Sequence, residues 1–152
     1  MDSKSVLKHI KVGQLLPPQL ADDGDFAGNT YFDTQGLSGV LVLMNIGTID
    51  AAIGSTAEGT AVTLEECDTT DGSYTEISSA VLSAAIPATD DNKLFGIHVD
   101  LSKSHKRYLE IKAPHAGNGT TGANMGAVAI GFPADVMPNS AGEMGLEELI
   151  QA

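Results

Sequence analysis

The chain has 152 residues, 42% of them apolar, with 17 Gly, no Trp, one Cys and a formal net charge of −12. Its length suits one domain with a modest core. Its acidity argues against nucleic acid or an anionic membrane surface as partner, because both are bound chiefly through Lys and Arg.

Residues 1–28 read as an N-terminal arm. The first 20 residues carry Lys4, Lys8 and Lys11 around a short apolar stretch of Val6, Leu7, Ile10 and Val12. They lack the continuous apolar run of a signal peptide, so none is expected. Leu15-Leu16-Pro17-Pro18 follows, and the proline pair calls for an extended path that bars a central strand. Asp22-Asp23-Gly24-Asp25 reads as a turn.

Residues 29–133 read as a β-sandwich domain. Asn29 to Thr34 makes a short first strand. Gly39-Val40-Leu41-Val42-Leu43-Met44-Asn45-Ile46 is the strongest run. It is apolar at successive positions, so both of its faces need a cover. A two-layer sandwich covers one face; an arm, a loop or another subunit must supply the rest. Ala61 to Asp68 is the next strand, with Val62 and Leu64 on one side and Thr63 and Glu65 on the other. Asp71-Gly72 is a hairpin turn signal, followed by short strands at Tyr74 to Ile77 and Ala80 to Leu82. In Leu94 to Leu101, Phe95, Ile97 and Val99 share a face. Arg107 to Lys112 repeats the pattern with Leu109 and Ile111 inward. Ala127 to Phe132 has a large face of Val128, Ile130 and Phe132 and a small one of Ala127, Ala129 and Gly131. The small face fits crowding inside the sandwich. Short strands spaced by turns predict an all-β fold, an antiparallel sandwich or a jelly-roll-like barrel.

Residues 134–152 read as a C-terminal tail. Ser140 with Glu143 has capping-box form, and Leu146, Leu149 and Ile150 fall at i, i+3 and i+4. That spacing predicts a short helix with one apolar stripe. So short a helix must dock on something or fray. No run approaches the roughly 18–20 apolar residues of a transmembrane helix.

Charge is unevenly spread. Lys and Arg are missing from residues 12–92 and after Lys112; the later cluster is Lys93, Lys103, Lys106, Arg107 and Lys112. A high net charge keeps a protein dispersed, and a basic arm could also meet an acidic face of a neighbouring copy.

Local chemistry is sparse. Gly117, Gly119 and Gly122 spell G-x-G-x-x-G, but a strand-like segment follows where dinucleotide binding needs a helix. His9, His98, His105 and His115 are isolated and lack the spacing of metal ligands on one helix. The acidic runs at residues 22–25 and 68–72 do not match a calcium loop. Cys67 has no basic neighbour in sequence to hold a thiolate, and a single cysteine excludes an intrachain disulfide and suits a reducing cytoplasm. No catalytic residue, cofactor site or metal site is expected, and the chain reads as no enzyme.

Two segments carry a family likeness. Val62-Thr63-Leu64-Glu65-Glu66-Cys67-Asp68 with Asp71-Gly72-Ser73-Tyr74-Thr75-Glu76-Ile77, and Asp91-Asn92-Lys93-Leu94 through Lys106-Arg107-Tyr108-Leu109-Glu110-Ile111, resemble a pattern of small virion proteins of tailed bacteriophages. The likeness spans about residues 61–132. It implies a β-sandwich that decorates or cements a capsid in the virion, assembled in the host cytoplasm, with the major capsid protein and copies of itself as partners. A symmetric homo-oligomer is implied, a trimer on a capsid axis being one form. Other virion roles (connector, tail or shell) and a carbohydrate-binding module stay open; for the last, Tyr31, Tyr74 and Tyr108 would be a thin platform. The expected interface residues are Leu15, Leu16, Pro17, Pro18, Val40, Val42, Met44, Leu146, Leu149 and Ile150.

Overall fold

A computed structural model describes residues 9–22, 24–54, 61–114, 122–133 and 146–152. The described residues form nine strands and no helix: β1 (Lys11–Ala21), β2 (Phe32–Asp33), β3 (Gly39–Ile49), β4 (Thr63–Cys67), β5 (Thr75–Val81), β6 (Leu94–Asp100), β7 (Tyr108–Lys112), β8 (Ala123–Phe132) and β9 (Glu148–Gln151). They make two sheets, of order β1-β8-β3-β6-β9 and β2-β7-β4-β5. Every pairing is antiparallel except β6 with β9. The sheets do not close into a barrel, so the all-β layered expectation stands and the barrel form does not.

The core lies between the sheets. From the five-stranded sheet come Val40, Val42, Met44 and Ile46 of β3, Phe95, Ile97 and Val99 of β6, and Met125, Ala127 and Ala129 of β8. The other sheet supplies Leu64, Ile77, Leu109 and Ile111, and Val62 joins them just before β4. Burying each large aliphatic side chain contributes roughly 1.5–3 kcal/mol. The small residues of β8 thus face inward, where they let the opposed layers approach, while Val128 and Ile130 face out. An isolated bridge between Ile53 and Ile86, both fully buried, ties the β3–β4 and β5–β6 connections together.

Both ends of the sequence differ from expectation. Residues 11–21 are no free arm: they pair with β8 as the sheet's edge strand, and Leu15 and Leu16 both enter the core. Consecutive residues can do so because the ladder shifts register between Gln14 and Leu16, and again between Leu16 and Gln19 around Pro17-Pro18. A bulge puts two residues opposite one and swaps the side-chain parity. Proline is tolerated there because the edge needs no second ladder.

The expected helix near the C-terminal end is a strand. Glu148–Gln151 pairs with β6, Leu149 opposite Gly96 and Ile150 opposite Ile97. A helix of two turns gains little alone, whereas the open edge of β6 offers backbone partners for every residue. The capping box at Ser140 and Glu143 lies outside the described residues. So do Lys4, Lys8, Val6, Leu7, Gly117, Gly119 and His115.

Candidate functional site

The two sheets present very different outer faces. Opposed residues in a ladder share a face, so the register assigns them. On the four-stranded sheet the outward rows join Asp33 with Tyr108 and Cys67, Glu110 with Glu65 and Glu76, and Lys112 with Thr63. Arg107 grips Asp33 through two bonds of 2.9 Å and lies over the Tyr108 ring at 5.0 Å. Lys112 bonds Glu76 at 2.9 Å and stands 3.6 Å from Glu65. This face is charged and already internally paired.

All three tyrosines gather here. Tyr31 meets Tyr108 edge to face, with centroids 5.3 Å apart. Tyr74 has its hydroxyl buried beside Glu110 without a well-aligned hydrogen bond. Burial, then the Glu110 charge, pushes the Tyr74 phenol up to about 12. Glu110 is itself raised by burial and by Glu65. With Tyr108 held between Arg107 and Tyr31, only Tyr31 remains an exposed ring.

The outer face of the five-stranded sheet is the opposite. Its rows run Val12–Ile130–Leu41–His98, Gln14–Val128–Leu43–Gly96–Leu149, and Gly126–Asn45–Leu94, with Leu20 beside Asn124. No Asp, Glu, Lys or Arg occurs among these positions. Val12 is 66% exposed, Leu20 61%, Val128 39% and Leu94 36%. Single exposed apolar residues are ordinary, but a contiguous set marks an interaction surface. Between the β1 bulge and Leu94 lies a groove of about 880 Å³, with Leu20, Leu43 and Val128 on its walls and Gln14, Asn45 and Asn92 among its polar lining.

Five of the residues expected at an interface lie inside the chain. Val40, Val42 and Met44 are wholly buried in the chain's own core, as are Leu15 and Leu16; burial there removes all five as interface residues. Pro18 lines the groove at the bulge, next to Gly126. Pro17 is half-buried. Leu146 and Leu149 crowd Gly96 together with Leu41, so the chain itself covers one end of the outer face. Ile150 packs against the core. Outside the expected set, the outer face carries Val12, Leu20, Leu43, Leu94 and Val128, which lie on four different strands and share a face only through pairing.

Reactive chemistry is confined. Cys67 is buried. The His105 ring gives Nδ1 to a 2.9 Å contact with Glu66, which also accepts the Lys106 N–H at 3.0 Å. His105 Nε2 is enclosed. Among the described residues no three His, Cys, Asp or Glu side chains converge as metal ligands, and no helix is long and apolar enough to cross a membrane. Compared with protein-family models, curated proteins and solved structures, the chain matches none.

Proposed function

We propose that this chain is a structural virion protein, of the kind that decorates or cements a phage head through protein–protein contacts and does no catalysis. The observation that carries the reading is the uncharged outer face of the five-stranded sheet, on which Val12, Leu20, Leu94 and Val128 stand exposed in a chain of net charge −12. A protein that binds only the assembled shell stabilises it by mass action, and many weak copies act together. Assembly in the host cytoplasm and final residence in the virion belong to the same proposal, with the major capsid protein and copies of this chain as partners.

Strand order supports it. The pairs β1–β8, β2–β7, β3–β6 and β4–β5 nest one inside another. That is the order expected when an antiparallel ribbon is wound into a jelly-roll-like sandwich, an architecture recurrent in capsid proteins. Fold analogy alone does not assign a role; the neutral face adds the site. Lectins share that architecture, but a sugar platform would rest on Tyr31, since the other two rings are engaged.

The test is location. Particles purified from the source are expected to carry the chain in high copy after sedimentation. A few copies per particle would indicate a connector or tail component instead. A chain that stays soluble and leaves every particle fraction empty defeats the virion reading.

A further inference from the structure

We infer that the outer face of the five-stranded sheet docks face to face on the same face of a second copy, giving a two-fold dimer. This names the partner of the surface on which the proposed function rests. Electrostatics selects this partner. Two copies that each carry −12 repel across most of their surfaces. The one route of approach free of that cost is a face with no like charges to bring together. Across β1, β8, β3 and the Leu94–His98 part of β6, the outward positions hold no charged side chain. Charges stand at the margin: Lys93 is tied to Asp90 and Glu147 at 3.0 and 3.1 Å, Asp100 accepts the Ser102 N–H at 3.0 Å, and Asp22 and Asp91 are exposed close in sequence to Leu20 and Asn92.

The polar groups of this face are also suited to self-pairing. Gln14, Asn45, Asn92 and Asn124 line the groove around Leu43. A side-chain amide is donor and acceptor at once, so it can satisfy its own symmetry mate, as a two-fold interface demands. A surface built for an oppositely charged partner would show fixed charges here. Edge-to-edge growth is disfavoured on the β1 side, because Pro17 and Pro18 interrupt that edge.

The test is the mass of the full chain by light scattering or sedimentation equilibrium, as a function of concentration and salt. The expected wild-type species is twice 15.7 kDa. Leu20→Glu and Val128→Glu each carry an unpaired charge into an apolar interface and remove apolar burial there. Either change should weaken the dimer by at least about tenfold in Kd. Both positions are exposed in the single chain, so circular dichroism and melting should stay near wild type. Thr70→Glu, an exposed change off this face, should leave the dimer intact. Added salt should leave the wild-type Kd unchanged or tighten it by screening the repulsion.

A wild-type monomer, an odd copy number, a dimer indifferent to both substitutions, or a dimer that salt dissolves overturns the inference. A monomer that still coats particles removes the dimer and keeps the virion proposal. A dimer found on no particle does the reverse.

Discussion

Gly96 and Leu146 are in a contact that leaves no room for a side chain on the glycine: a methyl built there would stand 2.6 Å from Leu146 Cδ1 and 3.3 Å from Leu149 Cδ1. Gly96 sits in β6, directly opposite Leu149 of β9. The last strand is thus held by backbone pairing and by two leucines closing over a bare spot. Gly96→Val should force those leucines off. Overpacking of this kind costs typically 1–3 kcal/mol. Hydrogen exchange should then rise at the amides of residues 148–151 before it rises in β3 or β8. Unchanged protection of those amides would show that β9 is held by something other than this contact.

The fold was legible wherever polar and apolar residues alternate. Val62 and Leu64, Leu109 and Ile111, and Phe95, Ile97 and Val99 all face the core as their spacing predicts. Legibility fails where both parities are apolar. In β3, Leu41 and Leu43 are as apolar as Val40 and Val42, and only pairing with β6 and β8 decides which pair turns inward. Likewise Leu146, Leu149 and Ile150 suit a helical stripe or a two-faced strand equally well. The open edge of β6, some 50 residues away, breaks that tie. Leu15 and Leu16 are buried side by side because the ladder shifts register between Gln14 and Leu16, an effect no alternation rule contains. The candidate surface needed all of these assignments at once, so it emerges only from the assembled sheet.

Glu66 binds the β6–β7 connection to β4 by accepting from both the Lys106 N–H and the His105 ring. Glu66→Ala would leave a backbone donor and an imidazole nitrogen in a poorly hydrated place, a loss of about 1–3 kcal/mol. Glu66→Gln keeps an acceptor oxygen and should cost less. Equilibrium denaturation of the two variants checks the order. Equal stability of Glu66→Ala and wild type would mean that the connection holds itself.

Asp33 and Arg107 join β2 to the start of β7 through two parallel bonds of 2.9 Å. The guanidinium holds the Asp33 carboxyl well below the usual carboxylate range; the Gln35 N–H and Lys11 add to this and partial burial opposes it. A depressed folded pKa gives stability that is present above the ordinary value of 3.8 and fades as pH falls through the folded value. The pair is partly solvated, so its worth is at most about 1 kcal/mol. A double-mutant cycle with Asp33→Asn and Arg107→Gln should show coupling of about that size at pH 7. Coupling that persists undiminished well below the carboxylate range would contradict the assignment.

Pro17 and Pro18 should matter more for solubility than for folding. They break the β1 ladder at the sheet's edge, where β1 has a strand partner on one side alone, and such edges are templates for unwanted pairing. A Pro17→Val, Pro18→Val double variant is expected to fold but to scatter light on prolonged incubation where wild type stays clear. Clear solutions of both would relieve the prolines of this role.

His98 should make the stability of the chain pH-dependent in a definite direction. Its ring is buried on the outer side of β6, with Nε2 lacking a partner and lying close to Gly39. Burial lowers its pKa from 6.5; Asp100 pulls upward and Lys103 adds to the lowering. The unfolded chain therefore takes up this proton first as pH falls. Stability is full above 6.5 and declines between 6.5 and the folded value, below which the loss is complete. The strain falls on β9, because the Ala152 N–H bonds the His98 carbonyl at 2.8 Å and the Asp100 N–H bonds the Ala152 carbonyl at 3.2 Å. Denaturation curves for wild type and His98→Gln, measured from pH 8 to pH 5, should converge toward low pH as the wild type alone pays for charging the imidazole. Curves that remain parallel across that range would mean that His98 keeps its proton balance on folding, and that β9 is insensitive to it.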